Sequence, residues 1–204
     1  MNKLSIIVSS PSGGGKTTIC KKLISDSSSP LFNKAKFSIS ATTRGVRAGE
    51  EHGKDYHFLS LGEFEEKIKN NEFLEHANVF GKLYGTLKSE ISQEKHTIFD
   101  IDVEGHKQIK AQDIECLSIF LLPPSMDILK QRVKARGDLQ LEEMEKRLKQ
   151  AEMEIKEAKN YDFVIINQDL NQTFKTICDI VSSYHIKLNP SLIENKTIFT
   201  DLSF

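Results

Sequence analysis

The sequence predicts a doubly wound α/β fold built on a parallel sheet, and three observations carry that prediction. Five short runs rich in apolar and β-branched residues alternate with helix-period segments: "LSIIVS" at 4–9, "KFSIS" at 36–40, "HTIFDID" at 96–102, "CLSIFLL" at 116–122 and "YDFVIIN" at 161–167. Four of the five are continuously apolar rather than alternating, the mark of strands covered on both faces. The first run passes directly into a glycine-rich turn and a helical pattern, "SSPSGGGKTT" at 9–18. At 204 residues the chain suffices for one substantial core, which argues for a single domain.

The first strand ends at Ser9 or Ser10, a turn runs through Gly13, Gly14 and Gly15, and a helix opens at Lys16. That geometry aims several backbone N–H groups at one spot beside the positive end of a helix, an anion cradle spanning Ser12 to Thr18. The stretch fits the phosphate loop G-x-x-x-x-G-K-[ST] except that Ser10 stands where the first glycine belongs. Serine adds one Cβ and one hydroxyl, and if the position requires φ > 0 the cost is about 1 to 2 kcal/mol, which the loop tolerates. Lys16 supplies a charge between the outer phosphates and the Thr17 hydroxyl a magnesium ligand, with the Thr18 hydroxyl beside it. "HTIFDID" places Asp100 at the carboxyl end of an apolar strand, where the second half of such a site holds magnesium-bound water.

Glycines and aromatics break any long period between 41 and 95, so a smaller strand-rich insertion is expected there. Within "SISATTRGVRAGEEHGKDYHF", 38–58, Arg44 and Arg47 lie three apart and can converge on one dianionic phosphate through bidentate forks, with the Tyr56 hydroxyl as a further donor. From 127 to 159 the chain is rich in charge, and Leu141, Met144, Leu148, Ala151, Ile155 and Ala158 recur at spacings of three and four. Glu142/Lys146, Glu145/Lys149 and Glu152/Lys156 are helix-compatible pairs, so two helices joined near Gly137 are predicted. The tail from 187 to 204 starts at a proline break and has no clear period.

Composition limits the partners. A formal charge of -1 gives no global field for gripping nucleic acid, so any polyanion site is local. Cys20, Cys116 and Cys178 are odd in number and widely spaced, which indicates neither a disulfide framework nor a zinc site and suits a reducing cytoplasm. The amino-terminal "LSIIV" is too short for a signal-peptide core, and no segment is apolar enough to cross a bilayer. The six histidines are scattered without ligand spacing.

At the level of motifs the chain resembles guanylate kinases, the nucleoside monophosphate kinases of the phosphate-loop class, in their bacterial single-domain form. "ATTRGVRAGEEHGKDYHF", "EFLEHANVFGKLYGT", "IFDIDVEG", "PPS", "RVKARGD" and "VIIN" fall in that family's order and approximate spacing, from residue 4 to about 186. The resemblance implies transfer of the γ-phosphoryl group of ATP to GMP, giving ADP and GDP, with Mg2+. It implies a core (1–35, 96–126 and 160–186), a GMP-binding region (36–95) and a lid (127–159). It assigns Arg44, Arg47, Tyr56 and Tyr84 to the acceptor phosphate and Ser40, Glu75, Thr86 and Asp102 to guanine. Guanine offers N1–H and its 2-amino group as adjacent donors, which the two oxygens of one carboxylate match; Glu75 is the expected reader. Adenine would leave that carboxylate facing a lone pair, a difference of about 10⁴ or more.

Arg132, Arg136 and Arg147 resemble the lid arginines that neutralise charge on the phosphoryl in flight, while Arg136 and Asn167 resemble the adenine side of the donor site. No general base is needed, because the second pKa of a phosphate monoester is about 6. Departures are Ser10, Leu83 where a second tyrosine is frequent, and Thr86 where some relatives carry serine. Two other readings are open: a catalytically inactive guanylate-kinase-like module that holds phosphopeptides, and a kinase of the same fold for another phosphorylated acceptor. A monomer and a homo-oligomer are both compatible with the sequence.

Overall fold

The computed structural model describes residues 3–26, 31–32, 35–79, 81–112, 114–134 and 141–188. In chain order β1 (Ser5–Ser9) leads to α1 (Lys16–Ser25), and β2 (Lys36–Phe37), β3 (Ala41–Thr42) and β4 (His57–Phe58) precede α2 (Leu61–Lys69). Next come β5 (Phe73–Val79), β6 (Lys82–Leu87), β7 (Thr97–Asp100), α3 (Val103–Lys110) and β8 (Leu117–Leu122). Helices α4 (Met126–Lys134) and α5 (Leu141–Lys156) follow, then β9 (Phe163–Ile166) and α6 (Leu170–Leu188).

All five predicted apolar runs join one parallel sheet, ordered β2-β7-β1-β8-β9. The central strand β1 pairs with β7 on one side and β8 on the other, so the chain reverses its winding direction about β1. Ligand crevices of open α/β sheets form at the carboxyl ends of strands at such a reversal, and here those ends are Ser9 and Asp100. One face of the sheet, through Ile6, Val8, Ile119 and Leu121, packs on Ile19 and Leu23 of α1 and on Ile177 and Val181 of α6. On the other face Ile7 and Phe99 pack with Ile101, Ile109 of α3 and Leu74 of β5.

Two runs differ from expectation. "KFSIS" pairs as a strand only over 36–37, because the chain leaves the core sheet after the Ser38 N–H bonds the Ile98 carbonyl (2.9 Å) and enters the insertion. "YDFVIIN" forms an edge strand: Val164 and Ile166 are 46% and 61% exposed, although the run is as apolar as the central ones.

The insertion is a second sheet ordered β4-β3-β6-β5, with β6 antiparallel to both β3 and β5. Its core is Ala41, Phe64, Phe73 and Leu87, with the Phe64 and Phe73 rings stacked at 4.4 Å. Ser60 and Glu63 form a reciprocal capping box that starts α2 and supports Phe64. Two sets of polar contacts fasten this sheet to the core. Buried Glu90 accepts from the Ile39 N–H (3.1 Å), Lys36 Nζ (3.0 Å) and His57 Nε2 (3.0 Å), spanning the root of both sheets. On the far side Gln108 of α3 pairs with the His76 backbone in both directions, at 3.0 and 2.9 Å, and Gln112 donates to the Leu74 carbonyl.

Helices α4 and α5 carry the charged stretch. Leu148 and Ala151 are buried, and the predicted stripe of α5 packs through Ala151, Met144 and Ile155 on Leu129 and Val133 of α4. The Glu142–Lys146 pair closes at 2.9 Å. The predicted turn near Gly137, Arg136 and the tail from 189 lie outside the described residues.

Candidate active site

The phosphate loop has the geometry its glycines require. Gly13 (φ 89°) and Gly15 (φ 95°) occupy the left-handed region, and Gly15 is the N-cap residue of α1. A Cβ on Gly13 would come within 3.1 Å of Leu129 and 3.2 Å of Val133, so the loop lies flat on α4. Gly14 donates its N–H to the Pro11 carbonyl at 2.8 Å. Ser10 does not adopt φ > 0, so the strain allowed for at the sequence level does not arise. Its hydroxyl donates to the Pro11 carbonyl at 3.0 Å, and its side chain is buried beneath the loop.

Lys16 lies 2.7 Å from Asp100 and donates to the Ile101 carbonyl at 3.0 Å. Burial opposes its charge, but Asp100 outweighs that effect and holds the ammonium above its ordinary pKa. The Thr17 hydroxyl donates to Asp100 Oδ2 at 3.3 Å, so a hydroxyl and a carboxylate, both hard oxygen donors, meet beside the loop. That pair suits Mg2+, which binds through one or two protein oxygens and completes its shell with phosphates and water. A cavity of about 200 Å³ opens here, lined by Ser12, Gly13, Gly15, Lys16, Thr17 and Asp102 among others. A second of about 340 Å³ lies beside it, lined by Thr18, Arg132, Asn167 and Leu170.

Asn167 lines this second cavity and also braces the loop. Its Nδ2 donates to the Gly14 carbonyl at 2.8 Å and its Oδ1 accepts from the Thr173 hydroxyl at 3.0 Å, so the side-chain amide is engaged at both ends. A Cβ on Gly15 would sit 2.5 Å from Nδ2. Arg132 bonds the Asn167 carbonyl at 3.4 Å, beside the loop, whereas Arg147 forms an exposed i,i+4 pair with Glu143 at 2.7 Å.

On the inserted sheet, Glu75 is opposite Thr86 and Ala77 opposite Tyr84, so Tyr84 and Thr86, two apart on β6, share a face. The Gln112 and Gln108 bonds to residues 74 and 76 dock β5 on α3, and Glu75 points at the first turn of that helix. There is room because residue 105 is glycine: a Cβ would lie 2.8 Å from Glu75 Oε2 and 2.5 Å from Ile101. Glu75 is 8% exposed and accepts the Thr86 hydroxyl at 2.7 Å. Burial pushes its carboxyl up to about 7, the Thr86 bond opposing and Asp102 adding to the rise. Asp102 caps α3 through the Gly105 N–H at 2.8 Å, and Ser40 gives its carbonyl to the His57 N–H.

Arg44 is gripped by a residue that the sequence did not single out. Glu50 takes both arms of its guanidinium, at 2.9 and 2.8 Å, and also accepts the Arg47 N–H at 2.9 Å. The guanidinium lies over Tyr56 (5.2 Å) and Phe58 (5.7 Å). Glu50 holds Arg44 charged, with a smaller contribution from Tyr84, and Arg44 in turn lowers the Glu50 carboxyl. The Arg47 side chain is exposed. Burial raises the pKa of the Tyr56 hydroxyl, with Tyr84 adding to the rise and Arg44 opposing it, and the Tyr56 and Tyr84 rings meet edge to face at 6.1 Å. Glu50 was within reach of sequence reading, as an acid three residues past Arg47 in a glycine turn; Gly105 was not, since its meaning depends on Glu75 arriving from another sheet.

A glycine cradle at the switch point of a parallel sheet, facing a second sheet that bears a buried acid and a caged arginine, defines a phosphate-loop nucleotide phosphotransferase. Comparison with known proteins narrows the class. A family model described as guanylate kinase matches residues 2–184. The chain is 40% identical to a guanylate kinase of Ruegeria sp. (strain TM1040) over 98% of its length and 95% of the relative's. It is 41% identical to one of Clostridium tetani, covering 88% and 86%. A crystal structure of guanylate kinase from Anaplasma phagocytophilum superposes with a TM-score of 0.68 at 32% identity, over 89% of this chain and 86% of that one. The chain belongs to the guanylate kinase family.

Proposed function

We infer that the protein transfers the γ-phosphoryl group of ATP to GMP, giving ADP and GDP, in purine nucleotide metabolism and GMP recycling. The observation that carries the choice of acceptor is Glu75, a buried carboxyl fixed by Thr86 above the first turn of α3 and opposite the phosphate loop. Ionised, it accepts from guanine N1–H and the 2-amino group together, with Ser40, Thr86 and Asp102 completing the base pocket. Arg44 and Arg47, with Tyr56 and Tyr84, hold the GMP phosphate, which displaces Glu50 from the Arg44 fork.

Ser12 to Thr18 cradle the donor phosphates by backbone N–H groups, and Lys16 exchanges its Asp100 partner for the outer phosphates. Thr17 and Asp100 hold Mg2+, which supplies charge neutralisation of the phosphate chain when bound. Arg132 stands at the loop already; Arg147, and Arg136 in the same lid, come to the phosphoryl when the lid shuts, excluding water as a competing acceptor. Asn167, with Arg136, serves the adenine side of the donor site, and its amide also keeps the loop in shape. With an ionised phosphate oxygen as nucleophile, the residues supply alignment and charge stabilisation rather than proton transfer.

No helix among the described residues is long and apolar enough to cross a membrane. A cytoplasmic enzyme acting on small molecules, as a monomer or homo-oligomer, fits this reading. ADP release measured with GMP, AMP, CMP and UMP tests it: turnover is expected with GMP, and AMP should fall behind by about 10⁴. Comparable rates with AMP and GMP would overturn the guanine-reading role of Glu75.

A further inference from the structure

One charged group at the loop has no part in the reaction as described. Glu154 is on α5, next to Ile155 and three residues past the fully buried Ala151, and those two pack against Leu129 and Val133. The same two α4 side chains lie under Gly13, so the packing that fixes α5 also fixes its distance from the phosphate loop. Glu154 consequently lines the 200 Å³ loop cavity together with Ser12, Gly15, Lys16 and Thr17. Its Oε1 accepts from Gln150 at 3.0 Å, while its Oε2 is buried and without a partner. Burial raises its pKa and Asp102 adds to that; the Gln150 bond, the Ser12 backbone N–H and Lys16 favour the charged form.

A phosphate chain brings acceptors, not donors, so it cannot satisfy the unpartnered oxygen. It brings like charge into the cavity that the carboxylate lines together with Lys16. We propose that Glu154 is a specificity-determining anion of the donor site: lining the phosphate-loop cavity beside Lys16, it must be displaced by the incoming phosphate chain, which ties donor entry to movement of α5 and disfavours weakly charged anions. The inference rests on residues 12–18 being the donor's phosphate site.

Binding of inorganic tripolyphosphate to the full chain, by calorimetry in metal-free buffer at pH 8, tests it. Removing a competitor that occupies the site most of the time should tighten binding by about three- to tenfold in both Glu154→Ala and Glu154→Gln. In the steady state KM for ATP should fall in the same proportion while KM for GMP stays put, a split that mere damage to α5 would not produce. Unchanged or weaker tripolyphosphate binding in Glu154→Ala, with Glu154→Gln behaving alike, overturns the proposal. Lys16→Ala separates the two levels: if it binds tripolyphosphate as wild type does, the assignment of the loop is itself wrong.

Discussion

Glutamine at position 75 keeps the shape of the side chain and removes its charge, so Glu75→Gln should gain stability as it loses its acceptor. The Glu75 carboxyl is pushed up to about 7 from an ordinary 4.5, chiefly by burial. The folded protein therefore binds this proton more tightly than the unfolded chain. The contribution to stability is complete below pH 4.5 and is lost as pH rises through about 7. At about 1.4 kcal/mol per pH unit, the interval from 4.5 to about 7 amounts to about 3 kcal/mol lost by pH 8. For a chain of this size that is roughly 6 to 12 °C in Tm. Scanning calorimetry of ligand-free wild type and variant at pH 4.5 and pH 8 should show the variant gaining on wild type by that amount. GMP affinity should fall by about 10- to 150-fold, the worth of one charge-assisted hydrogen bond. A Tm difference that is the same at both pH values would refute the buried titrating carboxyl, and undiminished GMP affinity would refute its use.

Lys16→Ala should abolish turnover and leave GMP binding in place; equilibrium titration with GMP beside a rate assay checks both. Glu50→Gln loosens the Arg44 fork held at 2.8 and 2.9 Å, so KM for GMP should change while KM for ATP does not. Ser10→Gly should leave kcat unchanged, since Ser10 is not in a strained backbone region, and should lower stability by no more than about 1 kcal/mol in chemical denaturation. Gly105→Ala drives a methyl into Ile101 and Glu75, costing about 1 to 3 kcal/mol in stability; its GMP affinity should drop with tripolyphosphate binding intact.

Much of this architecture is legible in the chain because local chemistry decides it. The central runs became β7, β1 and β8 of the parallel sheet since a strand covered on both faces calls for a continuously apolar sequence. Gly13 and Gly15 announce left-handed backbone before a lysine, and the structure has it. What sequence could not supply were pairings between distant segments. "YDFVIIN" reads like a central strand, but it stands last in the sheet, paired with β8, and Val164 and Ile166 are exposed. Asn167 reads as a donor contact from its motif, but that its amide also braces the loop through Gly14 and Thr173 is visible only in the structure. Glu154 looks like one more solvated acid on a charged helix, and only the packing of α5 on α4 turns it toward the loop.

Two fastenings hold the inserted sheet, Glu90 at one margin of its root and Gln108 with Gln112 at the other. Two fixed points define an axle. Glu75 is flanked by the bonded residues 74 and 76 and so sits beside one of the two fixed points, whereas Arg44 is held within its own loop by Gly45 and Glu50. A tilt of the inserted sheet about those points would move Glu75 less than Arg44. If Glu75 reads the base and Arg44 grips the phosphate, as proposed, the base would stay seated while the phosphate end of the acceptor moved.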